Sequence, residues 1–157
     1  MNVYSEQATF FRAALLLGLI RGERVIAWAD AVLAGDSDVL SAFAEIATTP
    51  SDDLTLLRQR LLLVGSERES DAVVGALAGL IHRDLASGRR TIGDTMTVLK
   101  QLRAFIKVTP ALNDCLKTLG VDVAITVPGS PERAAAEGRV RTWLAGHEHD
   151  LLPFLEP

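Results

Sequence analysis

The sequence predicts an all-α fold, a single-domain bundle of about seven or eight helices with one short extended segment at residues 121–127. Three observations carry this expectation. Apolar residues recur at helical spacing in nearly every segment. Those segments are bounded by capping residues, prolines and glycines. Alanine and leucine, both strong helix formers, supply 45 of the 157 residues. The length suits one domain with a sizeable core, and residues 145–157 read as a loosely docked apolar tail.

Each element follows from its own punctuation. In residues 5–20, Ser5 is placed to cap a helix whose apolar face carries Phe11, Leu15 and Leu19. Gly22 breaks the chain, and residues 23–34 follow as a second helix with a stripe of Val25, Ile26, Ala29, Val32 and Leu33, stopped by Gly35. A shorter helix spans about 38–47, with Asp36 or Ser37 as cap. Pro50 ends it, and Ser51 can cap a helix over 52–64 that Gly65 closes. The run Leu61-Leu62-Leu63-Val64 is apolar on more than one side, which predicts a central position.

A long helix is expected over about 67–87. Its Gly75 and Gly79 lie four apart on one face, and glycine inside a helix costs roughly 1 kcal/mol against alanine, so a close crossing is expected there. Thr91 caps the next helix, about 92–108. Thr109 followed by Pro110 starts another that Gly120 is expected to end. Residues 121–127 alternate apolar with polar or small side chains, as an extended connector or a strand that pairs with another chain does. Ser130-Pro131 opens the last helix. Residues 18–33 and 79–99 both read as helix, basic turn, helix, but their side chains do not match as a duplication does.

Composition removes whole classes of function. The apolar fraction of 48% excludes a disordered chain. A single cysteine, Cys115, excludes an intramolecular disulfide framework and a cysteine-only zinc cage. No apolar stretch is long enough to span a bilayer, and the first residues lack the pattern of a secretory signal, so a reducing, cytoplasmic setting is expected. The net charge of −4 argues against nucleic acid as a partner. Only three of the 16 basic residues are lysine, which with the alanine content suggests a GC-rich bacterial coding sequence. The charge is uneven. Residues 1–53 carry −5, 54–117 carry +4 and 118–157 carry −3. Either the acidic first third meets a basic partner, or opposite segments attract within the fold.

The chain is bare of catalytic signatures. No G-x-S-x-G, Walker A or G-x-G-x-x-G pattern occurs. His147-Glu148-His149-Asp150 is the one metal candidate, but its histidines diverge by about 200 degrees on a helix, so they read as solvated residues and no metal is expected. Cys115 lies in an apolar stripe and reads as a buried, inert thiol. Asp36 with Asp38, and Asp52 with Asp53, sit where helices begin and read as caps. Arg89-Arg90 reads as a solvated turn, the alternative being an anion site. No cofactor is expected.

The most suggestive local feature is Trp28 with Asp30 on the second helix. A tryptophan near surface acids resembles a binding hot spot; a tryptophan at the core edge is the competing reading. The stretch Gly18-Leu-Ile-Arg-Gly-Glu-Arg-Val-Ile-Ala-Trp-Ala-Asp-Ala-Val-Leu33 resembles the opening of small all-helical bacterial families, some uncharacterised and some immunity proteins against secreted toxins. The resemblance covers the first third and carries no functional residue across. The expectation is a noncatalytic module that binds another protein, a basic toxin being one such partner, through Glu23, Trp28 and Asp30 with Asp36 and Asp38 as rim. A self-associating scaffold, using residues 121–127 or the tail, and a small enzyme or ligand binder with a site between helices are the alternatives.

Overall fold

The computed structural model of the chain describes residues 3–35, 40–66 and 70–155. Among them the secondary structure is helical throughout, with no strand. The α-helices are α1 (Val3–Leu16), α2 (Gly22–Gly35), α3 (Leu40–Ala47), α4 (Leu54–Val64), α5 (Asp71–Ala86), α6 (Ile92–Phe105), α7 (Pro110–Ala124), α8 (Pro131–Ala145) and the short α9 (Leu152–Leu155). A 3-10 turn (Glu148–Leu151) precedes α9. No helix among the described residues is long and apolar enough to cross a membrane.

Several helix starts are set locally. The side chains of Ser70, Thr109 and Ser130 each accept a backbone N–H three residues on. Thr91 and Asp94 form a reciprocal capping box at α6. Ser5 is not a cap, because α1 already starts at Val3. The cap of α4 is Asp53 rather than Ser51, and its carboxylate accepts from Leu56 N–H at 3.0 Å. The expected caps Asp36 and Ser37 lie outside the described residues.

The chain divides into two compact units, residues 1–69 with 153–157, and residues 70–152. In the first, α1 packs on α4, α2 on α3, and α3 on α4. Its core joins Phe10, Phe11, Val25, Ile46, Leu57 and Leu61, all buried. The tail contributes here. The Phe154 ring lies 5.2 Å from that of Phe10, and Gln7 Nε2 donates to the Pro153 carbonyl at 3.2 Å. In the second unit, α5 packs on α8 and the 3-10 turn, α6 on α7, and α7 on α8. Leu77, Ile81, Leu102, Val140, Leu144 and Leu151 are fully buried there.

The two units thus share one wiring: first helix on fourth, second on third, third on fourth. They also share one turn. Gly18 (φ 67°) and Gly88 (φ 76°) both take the left-handed conformation that favours glycine, and they stand 70 positions apart. At the same offset, positions 8, 11, 14, 15, 25, 28, 29 and 32 are buried in the first unit, and 78, 81, 84, 85, 95, 98, 99 and 102 in the second. Over 7–35 and 77–105, the only identities are Ala8/Ala78, Leu15/Leu85, Gly18/Gly88 and Ala34/Ala104. The likeness is therefore one of backbone and burial, which a comparison of side chains along the sequence does not register.

Two sequence expectations are corrected. Residues 121–124 are not extended but complete α7, and Ile125 caps it with its N–H on the Val121 carbonyl. The buried series Leu116, Leu119, Val123 has helical spacing, and it overrides the two-residue alternation. Gly120 has open space around it and does not stop the helix. The run at 61–64 is not central, because Leu61 is fully buried whereas Leu63 is 72% exposed. Helix α4 meets α1 and α3, and Leu62 and Leu63 face solvent.

Candidate partner-binding face

Helix α2 carries the residues that the sequence singles out. Its position is set from behind. Gly22 is buried, and a Cβ there would stand 2.0 Å from the Ser51 carbonyl oxygen, so only glycine permits this approach. Val25, Trp28, Ala29 and Val32 form its buried stripe. The opposite side is exposed and carries Glu23, Arg24, Ala27, Asp30, Ala31 and Ala34, so its two acids stand beside one cation. Glu23 and Asp30 are two turns apart along that face, about 10 Å of rise. Glu23 also sits in the first turn, where the helix dipole favours an acid. Neither acid forms an ion pair among the described residues.

Trp28 is a core residue. It is 6% exposed, its indole N–H donates to Gln7 Oε1 at 3.1 Å, and its ring lies 4.9 Å from Phe11 and 5.2 Å from Phe43. Tyr4 extends the cluster edge-on to Phe43 at 5.5 Å. The structure therefore brings Glu23 and Asp30 onto one face and turns Trp28 to the other. The signal was present in the sequence: Trp28 keeps the period of Val25, Ala29 and Val32. Asp36 and Asp38 lie outside the described residues.

The histidine-rich segment forms a structured knot. His147 Nδ1 and His149 Nε2 approach the two carboxylate oxygens of Asp150 at 2.8 and 3.0 Å. Glu148 reaches His82 Nε2 at 3.7 Å, and the Trp143 ring packs edge-on to His147. The knot lies on the glycines of α5. A Cβ on Gly75 would meet Asp150 Oδ2 at 2.7 Å, and one on Gly79 would meet the His147 carbonyl oxygen at 2.6 Å. The close crossing expected at these glycines is present, with the 3-10 turn and its lead-in as the neighbour. Among the described residues no group of three His, Cys, Asp or Glu side chains is arranged to hold a metal ion.

The remaining candidates have structural partners. Arg90 Nε donates to buried Asp84 at 3.0 Å, and Arg89 lies 3.7 Å from the same carboxylate. The pair pins the turn between α5 and α6, where the first unit has the apolar Ala14, Leu19 and Ile20. Cys115 is half-buried rather than buried. Asp94 has its carboxyl held below the usual aspartate value, first by the Thr91 backbone N–H and then by the Thr91 hydroxyl.

These features define an all-α protein of two compact units, each with four longer helices, and an exposed side of α2 that carries Glu23 and Asp30. Comparison with protein-family models, curated proteins and solved structures finds no match to this chain.

Proposed function

We propose that this chain is a noncatalytic protein-binding module, and that the exposed face of α2 takes a basic surface of a protein partner. The observation that carries this reading is the placement of Glu23 and Asp30. Both are exposed on one face, and neither is neutralised by an ion pair among the described residues. Their negative field is available to steer a basic partner and set its register. Ala27, Ala31 and Ala34 between and beyond them leave the helix backbone open to close approach. Residues 36 and 38 add two acids just beyond the helix in sequence. An immunity-type role, in which the partner is a basic toxin, is the form of this reading that the resemblance of residues 18–33 supports.

The test is affinity capture from the native cell with the wild-type chain and with Glu23→Arg/Asp30→Arg. A partner held by the wild type and lost by the double variant, at equal melting temperature, is the expected result. Equal retention by both would refute the α2 face as the site.

A further inference from the structure

We infer that the seat of Phe154 in the first unit is a peptide-binding site, and that residues 152–155 close it in cis. The occupant it takes from a partner is a protein segment of the same chemistry: an aromatic side chain directly after a residue whose carbonyl is free to accept. The site is separate from the exposed side of α2 and does not depend on its acids.

The seat is built from one buried amide and a run of rings. Gln7 is 2% exposed. Its Oε1 accepts the Trp28 indole N–H at 3.1 Å, which orients the amide, and its Nε2 donates to the Pro153 carbonyl at 3.2 Å. A carbonyl in the last turn of a helix has no partner within that helix, and Gln7 supplies one to Pro153. This bond reads backbone, and the ring beside it reads a side chain, the division of labour common in peptide recognition. Phe154 is 4% exposed, and its ring lies 5.2 Å from that of Phe10. From Phe10 the ring contacts continue through Phe11, Trp28 and Phe43 to Tyr4, with centroids 4.9 to 5.5 Å apart. Aromatic pairs gain more than the area they bury, so the seat selects an aromatic over an aliphatic side chain.

The second unit is the control. At the offset that relates Gly18 to Gly88, Gln7, Phe10 and Trp28 match Leu77, Leu80 and Val98. A unit of this wiring therefore folds on three aliphatic residues at these places. The buried amide and the rings of the first unit serve the segment they hold rather than the wiring.

The hold on that segment is light. Leu152 is 55% exposed, Pro153 is exposed and Leu155 is half-buried. Among the described residues, one ring contact and one side-chain hydrogen bond seat it. Segments held so lightly open at far lower cost than global unfolding. A partner segment then competes for the seat, and its apparent affinity is reduced by the fraction closed in cis.

Fluorescence anisotropy with a labelled peptide of residues 151–157 tests this. Full-length Phe154→Ser, whose seat is open, should bind the peptide at least tenfold more tightly than the wild type does. The Phe154→Ala peptide should bind roughly ten- to hundredfold more weakly than the natural one, the loss expected for one buried phenylalanine ring. If circular dichroism shows Phe154→Ser to be unfolded, the wild type decides. Peptide carrying para-fluorophenylalanine at this position, at the millimolar concentration that matches a short tether, should then give a bound fluorine NMR line that unlabelled peptide displaces.

Folded Phe154→Ser that does not bind the peptide would overturn the site, as would binding indifferent to the peptide's phenylalanine. Equal affinity of wild type and Phe154→Ser would overturn closure by residues 152–155. With Phe154→Ser unfolded, the absence of a displaceable line on the wild type would overturn the inference.

Discussion

Gly79→Ala isolates a single packing contact. The new methyl group would sit 2.6 Å from the His147 carbonyl oxygen and 3.0 Å from Leu151 Cβ. That oxygen already accepts the Asp150 N–H at 3.1 Å, so it cannot move without opening the turn. Overpacking of this kind costs about 1–3 kcal/mol. Alanine's higher helix propensity returns up to about 1 kcal/mol, which leaves a net loss of roughly 1–2 kcal/mol. Gly138→Ala in α8 is the control, because nothing lies within 4 Å of its added Cβ. It carries the propensity gain alone and should stabilise by up to about 1 kcal/mol. Gly75→Ala should fall between them, since it displaces the Asp150 side chain and not a carbonyl. At about 2–4 °C per kcal/mol for a chain of this size, Gly79→Ala and Gly138→Ala should shift Tm in opposite directions. Thermal and urea unfolding followed by far-ultraviolet circular dichroism read the difference. A Gly79→Ala protein as stable as Gly138→Ala would refute the close approach of the turn to α5.

Gly18→Ala and Gly88→Ala should each cost about 1–2 kcal/mol through left-handed backbone alone, because both positions have open space; unfolding experiments should find the two losses similar. Trp28→Phe removes the indole N–H from Gln7 and should cost about 1–3 kcal/mol, whereas a surface tryptophan would tolerate the change with no loss of stability. The Asp94 carboxyl, followed by NMR, should titrate below an ordinary aspartate. Being depressed, it contributes stability above the ordinary aspartate pKa, and this is lost as the pH falls through the depressed value. Thr91→Ala should raise that pKa part of the way and reduce this pH-dependent contribution, because it removes the hydroxyl and keeps the backbone N–H.

What the sequence determined by itself is local. Thr91, Thr109 and Ser130 were legible as caps because each bonds a backbone group three residues away, a distance independent of the rest of the fold. The two-glycine face of α5 was legible because glycine in a helix interior needs a reason. The acids of α2 were legible as surface groups, since unpaired charges are costly to bury. The tertiary structure decided which side of an element meets protein. Trp28 could have been an exposed anchor or a core residue, and Gln7, Phe11 and Phe43, far from it in the chain, settled that. The leucine run of α4 was divided between core and solvent by where α1 lies. Residues 121–124 became helix because burial at Leu116, Leu119 and Val123 outweighs a local alternation. The shared plan of the two units stayed hidden for the same reason: burial constrains the size and polarity of a position rather than its identity, so two sequences with little in common fill one arrangement of helices.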